Sequence, residues 1–185
     1  KEKHSHHIIT LIFGGSDPAN ITLKALKDLS KSINLHVNVV IGPANKNAKK
    51  IKSYLASKNI NFNYSIHHNS NELSNIIKQS YLVICSGGQT LYESISLKIP
   101  AIVVTQNKRE LTHGLLTDNF RGLVNLGFFD ELKQGAIHDA LKKIIDDKNI
   151  YNDLVHNCET IDLLGGTKRV VGLLNNFIER GIHEN

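Results

Sequence analysis

The sequence predicts an α/β fold, a doubly wound Rossmann-like domain with a mostly parallel sheet, and three observations support this prediction. Short apolar runs alternate with amphipathic segments along the chain, as in "LHVNVVIG" followed by "NKNAKKIKSYLASKN". Several of these runs are apolar almost throughout, which is typical of parallel strands that helices cover on both faces. Two runs end in a glycine pair directly ahead of a helical pattern, as strand-to-helix connections of this class often do.

The elements of the first half follow from the period of their apolar residues. Strand segments alternate or are continuously apolar, whereas the segment 20–33 places apolar residues at helical steps from Ile21 to Ile33. In chain order we predict a strand over 7–15, a helix over 20–33, a strand over 35–42, a helix over 45–59, a strand over 60–66 and a helix over 71–80.

The second half continues the alternation and then becomes helical. "YLVICSGG" and "PAIVVTQ" read as buried strands because they are short, apolar and bounded by turn residues. We predict strands over 81–88, 100–106 and 122–127, with helices over 90–98, 109–120, 130–147, 150–160 and 167–180; "LLGG" separates the last two.

The composition fits one globular domain with a sizeable core. The chain has 185 residues, of which 41% are hydrophobic and 21% charged, both ordinary values for such a domain. We assign residues 8–185 to a single domain and residues 1–7 to a linker or a cloning remnant. Because the chain contains no methionine, we expect it to be a fragment of something larger.

The apolar runs, the two cysteines and the net charge constrain the targeting, the redox state and the partners of the protein. No apolar run approaches the roughly 20 residues that cross a bilayer, and "KEKHSHH" lacks the apolar core of a signal peptide. Since Cys85 and Cys158 have no metal-binding spacing, we expect reduced thiols, a cytoplasmic location, and no metal or cofactor. The net charge of +5 fits a small anionic ligand, while the lack of interleaved aromatic residues argues against nucleic acid.

The first strand ends in "FGGSDPAN", at the sheet edge where doubly wound proteins bind ligands. Gly14 and Gly15 would let backbone N–H groups approach an anion. Asp17 and Pro18 read as the N-cap and first residue of the next helix. The same stretch also fits a plain turn in which Asp17 only caps.

The fourth strand ends in "SGGQTLYES", and two interpretations of its glutamate stay open. Thr90 and Glu93 match a capping box, in which Glu93 reaches back to the start of its own helix. Alternatively, the Glu93 carboxylate accepts hydrogen bonds from both hydroxyls of a ribose. In that case Gln89 and Thr90 offer donors to phosphate oxygens.

Two other connections carry weaker candidates. His67 and His68 lie where the third strand is predicted to give way to a loop, and adjacent strand residues point to opposite faces. They are either solvent-exposed or part of a loop whose backbone reads a base edge. After the fifth strand, Lys108 and Arg109 would meet a diphosphate or a sugar acid, or else belong to a solvated helix start.

"SGGQTLYESISLKIPAIVV" resembles the nucleotide-binding segment of the GT-B superfamily, in particular the C-terminal half of the peptidoglycan UDP-GlcNAc transferase family. In that family a glutamate seven residues after a serine holds the uridine ribose, and Ser86 and Glu93 have this spacing. "FGGSDPANITLKAL" and "IDLLGGTKRVVGLL" are similar to the spore coat polysaccharide family and to the UDP-sugar hydrolase of pseudaminic acid biosynthesis. Two departures are a missing Asn-Gln or His-Gln pair after the fifth strand and "LLGG" in place of Asp-Gly-x-Gly.

The resemblance implies a set of nucleotide-binding residues and names no catalytic one. The diphosphate would lie against the first glycine pair, the uracil beside the two histidines, and the phosphates and sugar along the connection after the fourth strand. The implied residues are Gly14, Gly15 and Ser16; His67 and His68; Ser86, Gly87, Gly88, Gln89 and Thr90; and Glu93 for the ribose.

The resemblance also implies a function, the UDP-sugar-binding half of a two-domain enzyme of surface polysaccharide or nonulosonic acid biosynthesis. That enzyme is either a glycosyltransferase or a UDP-sugar hydrolase, and its N-terminal half carries the acceptor site, so we expect this domain to be inactive alone. The alternative is a separate, non-catalytic nucleotide-binding subunit that docks to a partner chain. A third possibility is a general α/β ligand-binding domain in which Glu93 only caps its helix.

Overall fold

The computed structural model describes residues 7–57, 60–68, 72–117 and 120–183, with side chains described as far as residue 178. Within these ranges six strands form one sheet, in the order β3-β2-β1-β4-β5-β6, and every neighbouring pair is parallel. The predicted doubly wound architecture is confirmed. The strands are β1 (His7–Ile12), β2 (Leu35–Ile41), β3 (Asn63–His68), β4 (Leu82–Cys85), β5 (Ala101–Thr105) and β6 (Leu123–Phe128).

Helices follow most strands and cover both faces of the sheet. None of the helices in the described ranges has the length and apolar character needed to cross a membrane. The helices are α1 (Ile21–Asp28), α2 (Ala48–Leu55), α3 (Leu73–Lys78), α4 (Gln89–Ser96), α5 (Gly114–Thr117), α6 (Ala136–Asp146), α7 (Lys148–Thr160) and α8 (Gly166–His183), with short 3-10 turns at Leu29–Lys31, Lys108–Thr112 and Phe129–Glu131.

The core has two layers because successive strand residues point to opposite faces. In β1, Ile9 and Leu11 belong to the layer beneath α1, α2 and α6. Ile12 instead belongs to the layer beneath α3 and α4, together with Val83 and Cys85 of β4. The central strands are therefore buried on both sides, which is why they read as continuous apolar runs.

Several predicted helices are shorter or broken. Helix α1 ends at Asp28, so the apolar period that continued to Ile33 was misleading, and Ile33 is 68% exposed. The segment predicted as a helix over 109–120 is interrupted at His113, whose ψ of 139° is extended. The segment predicted over 130–147 begins its α-helix only after Gly135, because φ there is +84°.

The third strand also lies later in the chain than predicted. We predicted a strand over 60–66, whereas β3 runs over Asn63–His68. Pairing with β2 continues through Val40 with His67 and Ile41 with His68. Ladder hydrogen bonds therefore carry the strand two residues further, and the expectation that both histidines lie in a loop is wrong.

Candidate functional site

A pocket of about 250 Å³ opens beyond the carboxyl ends of β1 and β2, beside the position where the strand order reverses between β1 and β4. Ligands of open α/β sheets bind at this kind of position. The pocket brings together four residues that the sequence predicted, Gly14, Gly15, Thr90 and Glu93. Its other lining residues are Gly42, Pro43, Ile12, Val40, Ile41 and Leu73.

The first glycine loop is held against the end of β2. Gly14 has φ +74°, a conformation that favours glycine, and Gly15 accepts a hydrogen bond from the N–H of Ala44 at 3.0 Å. Gly42 lies so close that a Cβ there would stand 2.4 Å from the Gly15 Cα. The sequence reasoning missed Gly42; its only signal was the Gly-Pro pair that follows the second strand.

Asp17 caps α1, but from a different position than predicted. The helix begins at Ile21 rather than Pro18, because Asp17 and Asn20 are both left-handed and close a turn ahead of it. The buried Asp17 carboxylate accepts hydrogen bonds from the N–H groups of Ile21 at 2.8 Å and Thr22 at 3.1 Å. Burial raises the pKa of Asp17, and these hydrogen bonds oppose the rise by favouring the charged form.

We expect Asp17→Ala to lower the free energy of unfolding by about 1–3 kcal/mol, since it leaves two buried N–H groups without an acceptor. Urea unfolding monitored by circular dichroism would measure the loss. Asp17→Asn keeps an acceptor and tolerates the left-handed backbone, so its loss should be smaller. An alanine variant as stable as the wild type would contradict this role.

The pH dependence of the Asp17 effect has a defined sign. A folded-state pKa above the unfolded one favours folding most at pH values below the unfolded pKa. This contribution is lost as pH rises through the folded pKa. We therefore expect the stability of the wild type relative to Asp17→Asn to decrease as pH rises from the unfolded-state pKa of Asp17 through its higher folded-state pKa. Urea unfolding at several pH values would detect this decrease.

The connection after β4 does not form the capping box that the sequence allowed as one interpretation of Glu93. Helix α4 begins at Gln89 after Gly88, so Thr90 is not its N-cap, and no side chain of the described residues caps the helix. Thr90 lies in the first helical turn, one turn before Glu93. The half-buried Glu93 carboxylate makes no hydrogen bond to any described residue, which leaves both of its oxygens available in the pocket.

The remaining predicted residues lie around the pocket rather than in its lining. Ser86 and Gly87 are buried at the end of β4, while Ser16 and Gln89 are exposed. His67 bonds through Nε2 to the Asn38 Oδ1 at 3.1 Å, next to Val40 of the lining. His68 is exposed at the end of the edge strand.

Sequence reasoning also missed a buried polar network behind the loop at Gly87 and Gly88, the second glycine loop. The Glu110 carboxylate accepts hydrogen bonds from the N–H groups of Gly87 at 3.1 Å and Gln106 at 2.8 Å. His113 Nδ1 donates to the carbonyl of Gly87. In contrast, the predicted candidates Lys108 and Arg109 are exposed. Nothing in the local pattern distinguished the side chains that turn inward from those that face solvent.

The closing "IDLLGG" motif forms a surface turn ahead of α8. The Asp162 carboxylate accepts hydrogen bonds from the N–H of Gly165 at 3.0 Å and from Arg169 at 2.7 Å. These contacts hold the pKa of Asp162 below its usual range. Asp162 therefore orders the α7–α8 connection by bonding both to its own motif and to the first turns of α8.

The cysteines are buried and unpaired, in agreement with the predicted reduced thiols. Burial raises the pKa of Cys158 to about 12, so its thiol is protonated at neutral pH. Among the described side chains, no three His, Cys, Asp or Glu residues are grouped so that they could hold a metal ion.

Comparison with known proteins gives a consistent assignment. The family model "Glycosyltransferase family 28 C-terminal domain" matches residues 9–149. An uncharacterized protein of Methanocaldococcus jannaschii is 30% identical over 141 residues, covering 76% of this chain and 28% of that protein. The spore coat polysaccharide biosynthesis protein SpsG of Bacillus subtilis is 26% identical over 101 residues, covering 53% of this chain and 29% of that protein.

Solved structures share the fold at low sequence identity. MurG of Acinetobacter baumannii superposes with a TM-score of 0.73 at 11% identity, over 95% of this chain and 51% of that one. The S. aureus MnaA–UDP structure gives a TM-score of 0.69 at 15% identity, over 95% of this chain and 47% of that one. The chain thus spans about half of these structures and under a third of the two sequence relatives.

Proposed function

Because the chain belongs to the glycosyltransferase family 28 C-terminal domain family, we propose that it is the nucleotide-sugar-binding half of a two-domain glycosyltransferase and that its pocket takes the UDP moiety. The single observation that carries the proposal is the position of the Glu93 carboxylate. It has no hydrogen-bond partner among the described residues, and it lines the same pocket as Thr90 and the glycine pair Gly14 and Gly15. A helix-capping role, the competing interpretation of Glu93, has no support from the geometry of α4.

The chemistry of the pocket suits a nucleoside diphosphate. A carboxylate offers two oxygens to the two hydroxyls of a ribose, and Thr90 lies one turn from Glu93 on the same helix. The first N–H groups of a helix have no partner within it and lie at the positive end of its dipole. The start of α4 and the loop at Gly14 and Gly15 would therefore bind the phosphates.

These groups would also assist the departure of UDP from the sugar. Negative charge develops on the diphosphate as the glycosidic bond breaks, and fixed N–H donors stabilise such charge. The other half of the enzyme would supply the acceptor hydroxyl and any catalytic base. We favour glycosyl transfer over UDP-sugar hydrolysis because the matching family is one of glycosyltransferases. The cytoplasmic location of the protein stays a prediction.

Calorimetric titration of UDP into the chain tests the proposal directly, with UMP, ADP and GDP as controls. We expect UDP to bind more tightly than the other three, because the proposed site reads the uracil and both phosphates. Equal affinity for all four nucleotides would indicate binding by charge alone. Absence of UDP binding by the folded chain, alone and in complex with its completing half, would overturn the proposal.

The completing half needs a surface to dock on, and α8 offers one. Five apolar residues recur at helical spacing along one face of α8 and are half or more exposed, Phe177 most of all at 74%. An exposed apolar stripe of this length marks an interaction surface. We propose that the acceptor-binding half of the enzyme, within the same chain or as a separate subunit, covers this face. The stripe consists of Val170, Val171, Leu174, Phe177 and Ile178.

Phe177→Ser should separate docking from folding. Because Phe177 is exposed, we expect its loss to change the free energy of unfolding by no more than about 0.5 kcal/mol. Capture of the co-expressed acceptor-binding half should nevertheless fall strongly, while Asn176→Ser on the opposite face leaves it unchanged. A homodimer in size-exclusion chromatography that Phe177→Ser dissociates would instead assign the face to a second copy of the chain.

A further inference from the structure

We propose that Glu110 and His113 are positioning residues that lock the peptide of Gly87 and so shape the diphosphate-binding loop at the start of α4. This inference rests on the proposed function. It concerns two residues outside the pocket lining, which act on the ligand only through the loop that they hold.

Two hydrogen bonds hold Gly87, one at its N–H and one at its carbonyl oxygen. Glu110 Oε2 accepts the Gly87 N–H at 3.1 Å, and His113 Nδ1 donates to the Gly87 carbonyl. Since a carbonyl can only accept, the proton of that bond belongs to Nδ1. The two restraints come from a segment 23 and 26 residues further along the chain, so the loop is held by tertiary contacts rather than by its own sequence.

Glu110 is itself held in place by the start of its own segment. The Gln106 N–H donates to Oε2 at 2.8 Å and Asn107 Nδ2 donates to Oε1 at 3.2 Å. The side chain of Asn107 accepts the Glu110 N–H in return at 3.1 Å. Glu110 as a whole is only 9% exposed, and among the described residues it takes part in no ion pair. A buried carboxylate satisfied by N–H donors is stiff, because moving it would leave those donors without a partner.

The arrangement decides which N–H groups remain for a ligand. The N–H of Gly87 is already taken by Glu110, and the N–H of Leu91 bonds to the Gly88 carbonyl at 3.1 Å. Helix geometry leaves the N–H groups of Gln89 and Thr90 without an intrahelical partner. We therefore assign the phosphate contacts to the first turn of α4 rather than to Gly87.

The test compares Glu110→Ala with the wild type in titrations of UDP and of uridine. If Glu110 positions the phosphate-binding loop, UDP affinity should fall about tenfold or more, while uridine affinity, followed by chemical-shift changes, stays within about twofold. Thermal unfolding checks that the variant is folded. Glu131→Ala, which removes an exposed glutamate far along the chain, is the matched control and should bind both ligands normally.

A conservative pair of variants separates geometry from charge. Glu110→Gln keeps an oxygen for the two backbone N–H groups but places its amide against the Asn107 amide, so UDP affinity should fall partway. Adding Asn107→Asp restores a donor–acceptor match between the two side chains, and affinity should recover. His113→Asn retains a donor to the Gly87 carbonyl and should bind UDP better than His113→Ala.

The outcomes distinguish this inference from the proposed function. A wild-type chain that does not bind UDP overturns the proposed function, and the inference with it. A wild type that binds UDP, together with a folded Glu110→Ala variant of equal UDP affinity, overturns the inference alone. Equal losses of UDP and uridine affinity would show a general structural role and would also overturn it.

Discussion

Replacing Glu93 by glutamine is expected to weaken UDP binding about ten- to hundredfold, because the variant loses the charge and one of two acceptors that would hold the ribose hydroxyls. The expected loss corresponds to about 1–3 kcal/mol, the usual effect of leaving a polar group without its partner. Calorimetry of UDP into the wild type and Glu93→Gln measures it. The stability of the protein should hardly change, since the Glu93 carboxylate makes no hydrogen bond to the described residues.

The ligand itself provides the sharpest control for Glu93. If the carboxylate reads the ribose diol, the wild type should prefer UDP over 2′-deoxy-UDP, and Glu93→Gln should lose most of that preference. Glu131→Gln, an exposed substitution outside the pocket, should retain it. A glutamine variant that loses stability but keeps the preference for UDP would return Glu93 to a purely structural role.

Replacing Gly42 by alanine is expected to cause the largest loss of stability among these variants. The added Cβ would lie 2.4 Å from the Cα and the carbonyl oxygen of Gly15 and 2.5 Å from the carbonyl oxygen of Gly14. These are backbone atoms, so no side-chain rotation relieves the overlap and the two loops must separate. Overpacking of a tight site costs about 1–3 kcal/mol, and we expect at least this loss in urea unfolding.

The same displacement should reach the ligand, because Gly14 and Gly15 line the pocket. We therefore expect Gly42→Ala to lower UDP affinity along with stability. Gly15→Ala is the matched stability control, since a Cβ at that position meets no atom within 4 Å and should cost little. A Gly42→Ala protein with wild-type stability and UDP affinity would contradict the close approach of the two loops.

The candidate site shows which of its residues could be predicted from the local sequence and which could not. Gly14 and Gly15 were predicted because a glycine pair after a buried strand leaves few alternatives to a tight turn. Glu93 was predicted through the family resemblance, which implies a ribose ligand at its spacing from Ser86. The sequence allowed a capping box as well, since a cap and a ligand contact require the same residue type. Gly42 was missed because its constraint is a neighbouring loop 27 residues earlier in the chain, with no local signature of its own.

The fold errors have a common physical origin. The periodicity at Ile33, the polar run around His113 and the segment before Gly135 all continued a helical pattern that the backbone does not follow. The hydrophobic period shows which face a helix would bury if it formed, whereas backbone features such as the left-handed Gly135 and the extended His113 decide where a helix begins or is interrupted. Pairing with a neighbouring strand similarly extended β3 over both histidines.

The sequence by itself determined the parallel α/β architecture and the sheet edge that carries the glycine connections. Both depend on local period and turn chemistry, which are written in consecutive residues. Only the tertiary structure decided that Gly42 clamps the first glycine loop and that Glu110, rather than Lys108 or Arg109, turns inward to hold the second. Such choices depend on which buried N–H groups need an acceptor, and that need arises only when distant segments are packed together.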